Sequence, residues 1–437
     1  MTKFLKGSDL NAALAKIIRD SAIMYKTLLK QTILFLCFTC MVGGAYAQSI
    51  VQGWVLDATT KQPISHASVY FGNTQIGTAT NDKGQFEIQA KRLYNELIIS
   101  AVGYESTMVN TSANHANYTI YLKAKISTLM DVTVRAGKKD WKKWGALFSR
   151  ILLGQYSHNF SACKILNPQD IKFSYNEEAN YLEVSSDRPI LIENKALGYT
   201  LQLDMSEFRY DFLNDALSYS VGTYYENLNT GFNKFKPLIL KMAYLGSKMH
   251  FYRSLFSKTL NEENFEVYRY TSVKNIAKEN VFKTVQRYKA DKIANGIKEE
   301  DIKLSDNRDT AEYYRKVLLQ NDVLKWDTTK VDYKQYLSFD SVKNKMIFRL
   351  SDTLMVVYKR DYDQIANLTR SHVANGHGHS VVFLKTLICL NSKEDIIIDS
   401  AGYGIPNILQ ASGDMGNRRL AEQLPFDFVY DPEKFRF

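Results

Sequence analysis

The stretch IVQGWVLD, residues 50–57, alternates in the way that a strand with one buried face does. TTKQPI (59–64) then reads as a turn, HASVYFG (66–72) as a strand, and NDKGQFEIQA (81–90) as a turn followed by a strand. ELIISAVGYE (96–105) and NYTIYLK (117–123) complete the series. Strands at roughly 8- to 15-residue spacing, with Gly, Asn and Asp between them, predict a β-sandwich over residues 48–123. In TNDKGQF (80–86), Gly84 tolerates the positive φ of a tight turn and Asp82 is placed to bond the local backbone.

Gly53, Asp57, Pro63, Ala67, Val69, Gly77, Thr78, Thr80, Asp82, Gly84 and Phe86, followed by SAVGY at 100–104, make a specific set. In these residues the segment resembles the carboxypeptidase-regulatory-like domain, a transthyretin-like sandwich of about seven strands. The resemblance implies an accessory module, found beside peptidases and ahead of the plug of TonB-dependent outer-membrane transporters. LMDVTV (129–134) resembles the segment that follows this domain in the transporters. A peptidase reading can be tested on the histidines, because a zinc carboxypeptidase needs an H-x-x-E ligand pair and a second His. Three residues beyond each of the seven histidines stand Val69, Tyr118, Ser161, Arg253, Asn375, Ser380 and Val382, none of them glutamate. No peptidase site is expected.

Upstream, MYKTLLKQTILFLCFTCMVGGAYAQS begins at Met24 with Lys26 and Lys30, runs apolar from Thr32 to Val42, and ends in Ala45-Tyr46-Ala47. A basic start, a short apolar run and small residues at −3 and −1 are the pattern of a secretory signal peptide over 24–47. Residues 1–23 read as an extension or a misassigned start. The expected compartment is therefore the periplasm, or an outer-membrane-associated place in a Gram-negative envelope. Cleavage after Ala47 leaves 50 basic residues against 44 acidic ones, spread along the chain, which gives nucleic-acid binding little support. Cys163 and Cys389 remain in the exported chain, either as one disulfide or as two buried thiols.

KKDWKKWGALFSRILLG (138–154) sets Trp141, Trp144, Phe148, Ile151 and Leu152 at helical spacing behind a lysine cluster. This basic amphipathic helix, in a linker over 124–160, either packs its apolar stripe on the next domain or touches an anionic membrane through Trp141 and Trp144. Residues 161–437 read as a β-rich α+β domain. DIKFSYNEEANYLEVSS (170–186) predicts a hairpin turning at Asn176–Asn180, and GSKMHFYRSLFSKTLNEENF (246–265) a helix with Ser247 as N-cap. Residues 271–325 are charge-rich and read as an insertion or a solvated helical face. GNRRLAEQLPFDF (416–428) predicts a short helix stopped by Pro425. From CKILNP (163–168) through IENKALGY (192–199) to RRLAEQLPFDF (418–428), the region resembles the uncharacterised C-terminal part of envelope proteins that carry this regulatory-like domain, a likeness that implies no activity.

SHVANGHGHS (371–380) gathers His372, His377 and His379, but in a glycine-flanked loop with no cysteine or paired carboxylate to complete a metal site. It is expected to be a solvated loop. No G-x-S-x-G motif and no Walker loop occur, and GYGIPN (402–407) holds only two glycines of a dinucleotide fingerprint. The whole predicts a mainly β, α+β protein without catalytic, cofactor or metal residues. Its expected role is a non-catalytic envelope component that binds a protein or glycan. A component of TonB-dependent uptake and a hydrolase with a site assembled from distant residues are the alternatives.

Overall fold

The computed structural model describes residues 24–26, 28–32, 49–111, 117–125, 138–154, 157, 159–229, 234–342, 345–361, 381–390 and 392–433. His372, His377 and His379, most of the signal segment, and LMDVTV lie outside the described residues. Contacts divide the chain into two compact units, Met1–Ile50 with Gln89–Leu93 and Val51–Ile88 with Tyr94–Phe437. The second unit holds every site described below.

Seven strands form the N-terminal module: β1 (Ser49–Asp57), β2 (Ser68–Phe71), β3 (Gly77–Ala79), β4 (Gln85–Ala90), β5 (Glu96–Ser100), β6 (Thr107–Asn110) and β7 (Asn117–Leu122). They make a three-stranded sheet ordered β4-β1-β7 and a four-stranded sheet ordered β3-β2-β5-β6. Period-two burial is complete in β4 and β7, so Phe86, Ile88, Ile120 and Leu122 line the interior, as do Val55, Val69, Leu97 and Ile99. Gly84 takes φ 69°, as its turn requires. Asn81 rather than Asp82 ties that turn, its Oδ1 accepting from the amides of Lys83 and Gln85 at 2.9 Å each.

The next region opens with α1 (Lys138–Leu153) and continues through β8 (Cys163–Ile165), β9 (Ile171–Asn176), β10 (Tyr181–Ser186), β11 (Ile190–Asn194), β12 (Tyr199–Asp211) and β13 (Ala216–Asn227). The sheet order is β8-β11-β12-β10-β9, with β13 pairing along β12. β9 and β10 form the hairpin around Asn176–Asn180. β12 pairs first with β11 and then with β10, and a bulge between Met205 and Glu207 bends it.

The segment read as a linker supplies part of this sheet's core. Trp144 is only 3% exposed and packs 6.1 Å from Phe212, Trp141 lies 6.1 Å from Phe173, and Phe148 meets Phe208 edge-on at 5.2 Å. The packing alternative read from the sequence describes this helix: Trp144 is buried on the sheet and Trp141 is partly buried against the same core.

The remainder comprises α2 (Lys236–Tyr244), α3 (Lys248–Ser257), β14 (Phe265–Lys274), α4 (Ile276–Ala294), α5 (Arg308–Leu318), β15 (Val323–Lys330), β16 (Leu337–Asp340), β17 (Lys345–Phe348), β18 (Leu354–Asp361), β19 (Val381–Leu390), β20 (Ile396–Ile398), β21 (Gly404–Ile405), β22 (Leu409–Gly413) and α6 (Asp414–Asn417). Two sheets result, ordered β15-β14-β18-β19-β22 and β16-β17-β20-β21. Ser247 caps α3 as expected, its hydroxyl accepting from the His250 amide. The predicted helix before Pro425 is a single 3-10 turn, Leu420–Glu422, whose Leu420 and Ala421 are buried. Cys163 on β8 and Cys389 on β19 are free thiols, each partly buried. The architecture is mainly β, of α+β type. Among the described residues, no helix is long and apolar enough to cross a membrane.

Candidate functional site

The sandwich has one face joined to the rest of the chain and one face open. On the joined side, Asp204 sits at the bend of β12 and accepts three hydroxyl bonds from the sandwich. Tyr70 donates at 2.5 Å, Ser100 at 2.6 Å and Ser106 at 3.0 Å. Burial, reinforced by the Asp204 charge, pushes the Tyr70 hydroxyl far above its usual range, so it stays a donor. The turn between β2 and β3 extends the joint. Asn73 donates its amide to the Thr223 carbonyl at 2.7 Å, and Thr74 accepts from the Tyr225 amide at 2.9 Å. Tyr403 donates to Glu96 at 2.7 Å, while burial holds the Glu96 carboxyl above its ordinary value despite that bond. These groups are hydrogen-bonded to each other and serve as structural contacts.

Two further polar clusters have the look of chemistry but are committed internally. A cavity of about 200 Å³ is lined by Asn159, Ile239, Met242, Arg360, Asp414 and Arg418, among others. Arg360 donates to the Met242 and Leu245 carbonyls, and Arg418 to those of Met242, Ala243 and Leu245. Two guanidiniums thus satisfy the C-terminal carbonyls of α2 and complement its dipole.

His250 on α3 is 2% exposed, packed among Tyr244, Phe265 and Tyr358. Its Nδ1 accepts from the Gly246 amide at 3.1 Å, which leaves Nε2 to donate to Glu263 at 3.1 Å. With both ring nitrogens engaged, this His–Glu pair offers no free base. Burial lowers the His250 pKa below 6.5 against the opposing pull of Glu263, and the His250 bond lowers that of Glu263. The unfolded chain therefore takes up the imidazole proton first, so the stability His250 confers is complete above pH 6.5 and lost as the pH falls below it. The expected contribution is at most about 1.4 kcal/mol per pH unit. Thermal melts from pH 8 down to 5 should show this loss in the wild type and a flatter profile in His250→Gln. Parallel profiles would assign the acid sensitivity elsewhere.

The open side is the outer face of β4-β1-β7. Alternation turns Gln52 and Trp54 of central β1 outward beside Asn117, Thr119 and Tyr121 of β7, all of them exposed. The parallel register sets Trp54 next to Thr119 and Leu56 next to Tyr121, so the two rings are diagonal neighbours on one face. Gln52 Nε2 donates to Asn117 Oδ1 at 2.7 Å, and the Lys61 ammonium stands 4.3 Å from the centre of the Tyr121 ring. Gln85 adds a further carboxamide from β4, held by Asn81 at 3.1 Å. Partly exposed aromatics among exposed carboxamides can stack on a flat ligand, for Tyr121 once Lys61 swings aside, while the carboxamides donate to and accept from its hydroxyls. The alternation of IVQGWVLD and NYTIYLK carried the signal that would have found this face. Among the described residues, no group of three or more His, Cys, Asp and Glu could hold a metal ion.

The family described as CarboxypepD_reg-like domain matches residues 51–134, so the chain carries that domain at its N-terminal end. No curated protein matches the chain. Among solved structures, a 9R-lipoxygenase from Cyanothece is 10% identical over 48% of this chain and 48% of its own, with a TM-score of 0.16. The chain thus spans about half the length of that enzyme. A Bacteroides fragilis protein of unknown function is 11% identical over 80% of this chain and 93% of its own, with a TM-score of 0.15. Likeness at that level assigns neither fold nor activity.

Proposed function

We propose that the chain is an exported cell-envelope protein that acts by binding, with the outer sandwich face as its binding surface and a neutral glycan as its ligand. The observation that carries this reading is the face itself: Trp54 and Tyr121 lie diagonally among Gln52, Asn117 and Thr119, on the one side of the module that the joint leaves open. Sugar rings present C–H faces that stack on aromatic rings and hydroxyls that need partners able both to donate and to accept, as carboxamides do. The leader pattern ending at Ala47 supports the compartment. The ionisable clusters near His250 and Arg418 are bonded within the protein, which supports binding over catalysis.

One experiment addresses both halves. Chain recovered from the envelope fraction should have its mature N-terminus at or near Gln48 by intact mass. The same preparation should bind at least one neutral oligosaccharide in a panel, and Trp54→Ala should weaken that binding about tenfold, the loss of one stacking platform. The melting temperature should stay unchanged, because Trp54 faces solvent. Binding unaffected by Trp54→Ala, or uncleaved chain in the cytosol, would overturn the corresponding half.

A further inference from the structure

β14 and β15 continue past the sheet that they begin in. β18 pairs with β14 only from Phe265 to Arg269, whereas β15 pairs with it as far as Lys274. Beyond Tyr270 the ribbon is two-stranded, and Thr271–Lys274 and Leu324–Asp327 are exposed throughout. α4 and α5 are inserted between the two strands and have a small core of their own around Val281, Val285 and Val317. Asn275 holds the end of this arm together, its amide donating to the Asp322 carbonyl and its carboxamide bonding Gln320 and Asn321.

At this end the protein exposes five large apolar side chains: Leu319 at 79%, Leu324 at 66%, Trp326 at 60%, Ile276 at 58% and Val273 at 55%. Single exposed apolar residues are ordinary, but here both faces of one ribbon end carry them, Trp326 opposite Ser272 and Val273 opposite Lys325, which marks an interaction surface. Lys274 and Lys325 alternate with them along the ribbon and are exposed. The surface is a projection, which fits insertion into a soft phase better than capture of a ligand. Pairing of the β15 edge with a second strand is disfavoured by two features. The register shifts between Val273 and Lys274, and charged Lys325, Asp327 and Lys330 punctuate the edge.

We propose that this ribbon end docks on an anionic lipid surface. Trp326, Leu324 and Leu319 enter the boundary between headgroups and acyl chains, where tryptophan and leucine are favoured, and Lys274 and Lys325 meet the lipid phosphates. The exported chain, with 50 basic residues against 44 acidic ones, has the matching sign. This surface is separate from the glycan face and does not depend on that reading.

The test is co-sedimentation of the full chain with vesicles of phosphatidylglycerol and phosphatidylethanolamine, and with phosphatidylcholine alone. Wild type should partition onto the anionic vesicles with a blue shift of tryptophan fluorescence. Leu324→Ser with Trp326→Ser should lower the partition coefficient about tenfold or more and abolish the shift. Lys274→Gln with Lys325→Gln should weaken only binding to the anionic vesicles and remove its salt dependence. Because the apolar pair could alter folding, both variants are melted alongside wild type, and the lysine pair provides the second line of proof. Absence of wild-type partitioning, or partitioning unchanged in both variants, would sink the proposal. So would a wild-type dimer that the apolar variant converts to monomer, since the patch would then be a self-contact.

Discussion

Asp204→Ala is expected to lower stability by about 4 kcal/mol, the sum for two buried hydroxyl donors left without their acceptor. The carboxylate accepts from Tyr70, Ser100 and Ser106, and its loss leaves at least the buried Tyr70 and Ser100 hydroxyls without an acceptor. Each stranded donor costs roughly 1–3 kcal/mol, more than the bond itself contributed. Asp204→Asn should do about half the damage, because one oxygen still accepts. Tyr70→Phe in the alanine background should cost less than in wild type, since its hydroxyl is by then already unpartnered. Denaturant melts of the five proteins measure this directly. A cost for Asp204→Ala under about 1 kcal/mol would mean that water reaches the joint and replaces the carboxylate.

Gly53→Ala should cost about 3 kcal/mol, the upper end for overpacking. β1 and β7 run parallel with Gly53 facing Tyr118, and a Cβ at position 53 would lie 1.9 Å from the Tyr118 carbonyl oxygen. The obstructing atoms are backbone on the partner strand, so no rotamer change relieves the contact and the two strands must separate. Thr119→Ala on the outer face of the same pair is the control and should melt with wild type. A melting point for Gly53→Ala within about one degree of wild type would show that β7 yields freely.

How far the sequence could be read depended on the range of the interactions concerned. β1, β4 and β7 were legible because alternation is a local property, written within six to nine residues. Ser247 as a cap and the hairpin at Asn176–Asn180 were legible for the same reason. Asp204 was not, because its partners lie 98 to 134 residues away and no spacing encodes them. Trp141, Trp144 and Trp326 show the same limit more sharply. Both segments set tryptophan beside lysine, yet one is packed on β9 and β12 while the other stands clear. Only the tertiary fold distinguishes them. The short helix read before Pro425 failed because Leu420 and Ala421 pack into the core from a tight turn, and tertiary packing overrides helical propensity over so short a stretch.

Gln75 of the β2–β3 turn hydrogen-bonds Asp427 through both its amide and its carboxamide, across 352 residues of chain. Phe426 likewise donates its amide to the Asn73 carbonyl. A chain is made from its N-terminus, so the sandwich exists long before the segment that fastens it. During that interval the β2–β3 turn can hold Thr223 and Tyr225 but still lacks its bonds to Phe426 and Asp427. A chain cut short before Phe426 would keep every strand of both modules and still lack the clasp. The β2–β3 turn is thus fastened by a segment made 352 residues after it.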